Sequence, residues 1–73
     1  MGRQSKKAAE LVERWNKLHP VGSEVTVTKD LGEKLDTVTR SEAWVLGGHT
    51  AVIMVVGISG GYALTRVAAR RTA

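Results

Sequence analysis

The side chains able to carry chemistry are few. Histidine occurs at His19 and His49 only, and cysteine is absent, which removes disulfides, thiolate metal ligands and cysteine nucleophiles together. His49 lies in Gly47-Gly48-His49-Thr50, a loop sequence that presents an imidazole to a ligand. Hydrolysis would need a nucleophile and an orienting acid beside it, and a metal would need further ligands. His19 falls at a helix end, not at a ligand spacing. Hydrogen bonding within its own turn is the simplest role for His49. No enzymatic activity, cofactor or metal is expected.

Two glycine clusters invite a phosphate-loop reading, Gly47-Gly48-His49-Thr50 and Gly57-Ile58-Ser59-Gly60-Gly61. Neither contains Gly-Lys-Ser/Thr, and neither forms Gly-x-Gly-x-x-Gly between a strand and a long helix. Tight turns account for both. Gly57 and Gly61 also make a Gly-x-x-x-Gly pair within residues 43–65, a run without formal charge. Length alone would let this run span a bilayer. Its five glycines break it into short pieces, each costing roughly 1 kcal/mol relative to alanine inside a helix. A membrane span is therefore not expected.

The aromatics are Trp15, Trp44 and Tyr62. Their wide spacing does not match the closely set aromatics of RNA-recognition sheets. Trp44 and Tyr62 are assigned to core packing or a protein contact, where Trp and Tyr serve as anchors. Asp30 and Asp36 flank a turn and are read as solvated.

The net charge is +4 and unevenly spread. All seven acids lie at or before Glu42, and beyond it only Arg66, Arg70 and Arg71 are charged. The first seven residues add Arg3, Lys6 and Lys7 with no acid. Basic ends of this kind favour nucleic acid or an acidic protein surface, or simply solubility. The start of the chain lacks the apolar core of a signal peptide, so a cytoplasmic protein is expected.

The elements that must position these residues form one domain, residues 1–73, with residues 1–4 and 68–73 as flexible basic ends. Ala8, Leu11, Val12, Trp15 and Leu18 recur at helical spacing and predict an amphipathic helix over residues 5–18, capped by Ser5 and ended before Pro20. Glu24-Val25-Thr26-Val27-Thr28 alternates as a half-buried strand, and residues 35–39 form its hairpin partner across Lys29-Asp30-Leu31-Gly32. Residues 41–47 read as a capped helical turn closed by glycine, with Ala43 to Leu46 as extended chain the alternative. Residues 50–56 predict a central strand apolar on both faces, with residues 62–67 as its partner. The fold class is α+β, with the N-terminal helix packed on a small, strongly bent antiparallel sheet of about four strands. A small SH3-like barrel is the alternative.

Several segments carry a resemblance: Trp15-Asn16, Pro20-Val21-Gly22, Thr39-Arg40-Ser41, Ala43-Trp44-Val45-Leu46-Gly47-Gly48-His49-Thr50-Ala51-Val52, Gly57-Ile58-Ser59-Gly60-Gly61-Tyr62-Ala63-Leu64 and Arg66-Val67. Together they resemble small proteins encoded by bacteriophages and other mobile elements of Gram-negative bacteria. Gly-Gly-His-Thr and Gly-Ile-Ser-Gly are the most specific parts. Among phage proteins of this size, the nearest functional class is the small RNA-polymerase-binding transcription regulator of lytic phages. That class implies a non-enzymatic protein of the host cytoplasm that binds the polymerase near its RNA exit channel, inhibits initiation and promotes antitermination. Contact with the partner is assigned to Arg3, Lys6, Lys7, Arg40, Trp44, His49, Tyr62 and Arg66. A small nucleic-acid-binding module acting through its basic ends, and an inhibitor of a bacterial defence enzyme, are the alternatives.

Overall fold

The computed structural model describes residues 6–70. Helix α1, Lys6–Leu18, is followed by strands β1 (Glu24–Thr28), β2 (Lys34–Val38), β3 (Trp44–Leu46), β4 (Thr50–Ile53), β5 (Tyr62–Ala63) and β6 (Val67–Ala69). A single 3₁₀ turn, Leu64–Arg66, separates the last two strands. Arg3, the Ser5 cap and the proposed flexible end at residues 1–4 lie outside the described residues, as do residues 71–73.

The class is α+β, as expected, but one bent sheet of about four strands is replaced by two antiparallel sheets of three. Their orders are β2-β1-β6 and β3-β4-β5. The sheets meet at two corners without closing into a barrel. At one corner the chain beyond β4 leaves its own sheet, so that Val55 bridges Thr39 and the Val56 N–H donates to the Val38 carbonyl at 3.0 Å. The other corner is the 3₁₀ turn, which passes the chain from β4 to β1.

That turn corrects two expectations. Residues 62–67 are not one strand, because Leu64 turns into the core at the 3₁₀ step and the backbone changes partner there. Residues 68 and 69, expected outside the sheet, lie in β6, where Ala68 pairs with Thr26 and Ala69 with Val25. Thr26 faces away from the core and accepts its place by donating to Asp36 Oδ1 at 2.8 Å.

The core forms where both sheets and the helix meet. Val25, Val27, Ile53 and Val55 are fully enclosed, with Ala8, Ala43, Ala51, Leu64 and Val67 around them. Ala8, Val12 and Trp15 form the inward stripe of α1. Leu18 is 62% exposed and Leu11 is 38% exposed, against the expectation of one apolar face. At about 100° per residue these two lie roughly 65–90° from the centre of the stripe, beyond the reach of a narrow sheet. Trp15 is half-buried, and its Nε1 finds no hydrogen-bond partner among the described residues. Its ring lies 4.3 Å from that of His19, centroid to centroid.

Residues 44–46 are extended, which rejects the helical-turn reading of this segment. Gly47 and Gly48 take φ of 61° and 77°, the pair of positive values that a tight primed hairpin turn requires. No helix among the described residues is long and apolar enough to cross a membrane.

Candidate protein-binding surface

The sheet β3-β4-β5 has one face on the core and one face open. Alternation along β4 sends Ala51 and Ile53 inward and Val52 outward. Val52 is nevertheless buried, although it stands outside the core cluster. Trp44, its cross-strand partner, covers it. The space for the indole is provided by Gly61: a Cβ added there would lie 3.2 Å from Val52 Cβ and Cγ2 and 3.3 Å from Trp44 Cη2. These are tighter than ordinary van der Waals contacts. Gly61 is thus needed for space, not for an unusual backbone angle, and it leaves a notch beside Val52 that the edge of the Trp44 ring enters.

Trp44 remains 36% exposed and Leu46, two residues on and on the same face, 55% exposed. The Trp44 indole beside the exposed Leu46 forms an apolar surface separate from the core. The strand that carries them is pinned to α1 by Asn16, whose Nδ2 donates to the Ala43 carbonyl at 3.0 Å and whose Oδ1 accepts from the Ala43 N–H at 2.8 Å. The side-chain amide acts here as a neighbouring strand's peptide would.

At the turn beyond Leu46, the His49 N–H donates to the Leu46 carbonyl at 3.2 Å. His49 lines a cleft of about 200 Å³ together with Lys7, Leu11 and Thr65. The structure therefore brings Lys7 and His49 together at the start of α1, next to the hairpin that carries Trp44 and Leu46. Lys6 is exposed on the same first turn of the helix.

The other assigned contact residues are engaged within the fold. Arg40 donates from Nε to the Val55 carbonyl at 3.1 Å and from Nη2 to the Ile58 carbonyl at 3.3 Å, closing the turn after β4. Tyr62 is half-buried against the core, and its hydroxyl donates to the Thr28 carbonyl at 3.4 Å. Arg66 pairs with Asp30 at 3.7 Å. Tyr62 and Arg66 thus share the tip end of the β1-β2 hairpin, apart from Trp44. Arg70 is held between Glu24 and Asp36 at 3.4 and 3.8 Å.

Sequence reasoning missed Leu46, Gly61 and Asn16. The signal for Leu46 was present, since in an extended segment it shares the face of Trp44. Asn16 is a poor helix former within a helical run, which hints at a side chain with another task. Among the described residues no three His, Cys, Asp or Glu side chains form a group suited to a metal ion. The arrangement offers recognition by an apolar face with basic and polar groups at its border. No family model, curated protein or solved structure matches this chain.

Proposed function

We propose that this chain is a non-enzymatic regulator that binds another protein through the open face of β3-β4-β5, with Lys6, Lys7 and His49 at its border. The observation that supports this reading is the seating of Trp44 over Val52 in the notch left by Gly61. An indole held in one orientation at the surface loses little freedom on binding, and tryptophan is prominent among residues that dominate interface energies. Lysines beside it favour an acidic border on the partner. The resemblance to small phage proteins makes bacterial RNA polymerase the first target to test, with inhibition of initiation and antitermination as the regulatory outcome.

Protein is favoured over nucleic acid by the state of the arginines. Arg66 and Arg70 are each paired with carboxylates, and Arg40 is turned onto main-chain carbonyls. The cations left for a phosphate backbone among the described residues are Arg14 and the lysines, divided between α1 and the β1-β2 hairpin rather than gathered in one patch.

Titration of purified polymerase with the full chain tests the proposal. Trp44→Ala should weaken binding by at least about tenfold, since an interface anchor costs about 2 kcal/mol or more on truncation. Binding of duplex or single-stranded nucleic acid with a steep salt dependence, unaffected by Trp44→Ala, would overturn it.

A further inference from the structure

The two sheets present four edges, on β2, β6, β3 and β5. Exposed edges are commonly guarded by charge, proline, bulges or cover. β2 carries Lys34 and Asp36 and is bonded at its end through Thr37 and Val38 to Val56. β6 is bracketed by Arg66 and Arg70, and β5 has two residues before the 3₁₀ turn. β3 is Trp44-Val45-Leu46, bracketed by Ala43 and Gly47. No charge or proline stands in it.

Along an antiparallel edge, successive residues turn their N–H and C=O alternately toward and away from the neighbouring strand. Ala43 turns them away from β4, toward Asn16, which satisfies both. Val45 is the next residue that turns them away from β4. No hydrogen bond to either group is found among the described residues. One open donor and acceptor therefore lie on the edge, flanked by the exposed side chains of Trp44 and Leu46.

We propose that β3 pairs antiparallel with β3 of a second copy of the chain, across a two-fold axis at Val45. Each Val45 N–H donates to the Val45 carbonyl of the other copy. The same axis sets Trp44 opposite Leu46 of the second copy and Leu46 opposite its Trp44, so the apolar face is complementary to itself, as an isologous contact requires. The pairing stops at Ala43, where Asn16 already fills both main-chain groups and Gly47 of the second copy turns off at φ 61°. Glu42 runs toward the turn of the second copy that carries His49, beside Lys7. Acid meets base at both ends.

The product is one continuous sheet of six strands whose open face pools two Trp44 and two Leu46 side chains. This assembly goes beyond the functional proposal above and is measured without any target, so either can fail alone. A three-residue edge makes a small contact, and its association is weak.

Sedimentation equilibrium of the full chain, from about 10 µM to about 1 mM, covers the range in which small interfaces associate. The expected result is a monomer–dimer equilibrium within that range. Val45→Pro removes the outward N–H and no bond to β4, and should weaken dimerisation at least about tenfold. Leu46→Glu leaves the main chain intact and should weaken it similarly, which keeps the test decisive if Val45→Pro fails to fold by circular dichroism. Glu42→Lys should weaken the dimer, and adding Lys7→Glu should restore part of the loss. A parent chain monomeric at about 1 mM, or a folded Leu46→Glu variant that dimerises as the parent does, would overturn the proposal. So would a monomer whose edge variants lose only the polymerase, since the edge would then serve the target.

Discussion

Replacing Asn16 with alanine should destabilise the fold by about 1 to 2 kcal/mol, although alanine is the better helix former. Two hydrogen bonds to Ala43, at 3.0 and 2.8 Å, are lost, each worth about 1 kcal/mol net. Ala43 is buried, so its N–H and C=O are poorly placed to recover water. Against this stands a helix-propensity gain of at most about 0.7 kcal/mol. For a domain of this size each kcal/mol moves the melting temperature by about 4–8 °C, which gives a fall of about 5–15 °C. Thermal melting followed by far-ultraviolet circular dichroism measures it, and amide exchange locates it, because Ala43 should lose protection before the β1-β2 hairpin does. An unchanged melting temperature, with the Ala43 amide still protected, would refute the idea that this amide pins β3 to α1.

Gly61→Ala should cost about 1 kcal/mol as overpacking outweighs the reduced freedom of the unfolded chain, and should shift tryptophan emission to the red as Trp44 lifts from Val52. A more stable protein with unchanged emission would show that the notch is not filled as described. Trp15→Phe should cost less than about 1 kcal/mol because it also removes a buried N–H that has no partner among the described residues, whereas Trp15→Ala should cost about 2–3 kcal/mol, below the value for a fully buried tryptophan. Equal losses in chemical denaturation would contradict this difference. Arg40→Met keeps the stem but drops both bonds to the turn, for a loss of about 1 kcal/mol, while Arg66→Ala, which breaks one exposed ion pair, should stay within about 0.5 kcal/mol by the same denaturation assay.

The first half of the fold is legible because local pattern and tertiary burial agree there. Val25 and Val27 alternate with threonines, and β1 spans Glu24–Thr28 as the alternation implies. The helix ends before Pro20 for a covalent reason. The second half depends on contacts distant in sequence. Residues 62–67 have a strand-like composition, and only the competition of β4 and β1 for the same segment explains the 3₁₀ step between them. The turn reading of residues 41–47 also hid part of the site. In a helix, Trp44 and Leu46 would point away from each other; in β3 they share a face. The basic and aromatic residues were harder still, since nothing local reveals that Arg40 answers Val55 and Ile58, Tyr62 answers Thr28, or Arg66 answers Asp30.

The proposed recognition of a protein target rests on Trp44 in its seat over Val52. Isothermal titration of purified bacterial RNA polymerase with the parent chain and with Trp44→Ala, each first shown to be folded, tests it most directly. The predicted result is saturable binding by the parent and a loss of at least about tenfold in the variant. Equal affinity for the two proteins would contradict the surface, and no binding by the parent would contradict the target.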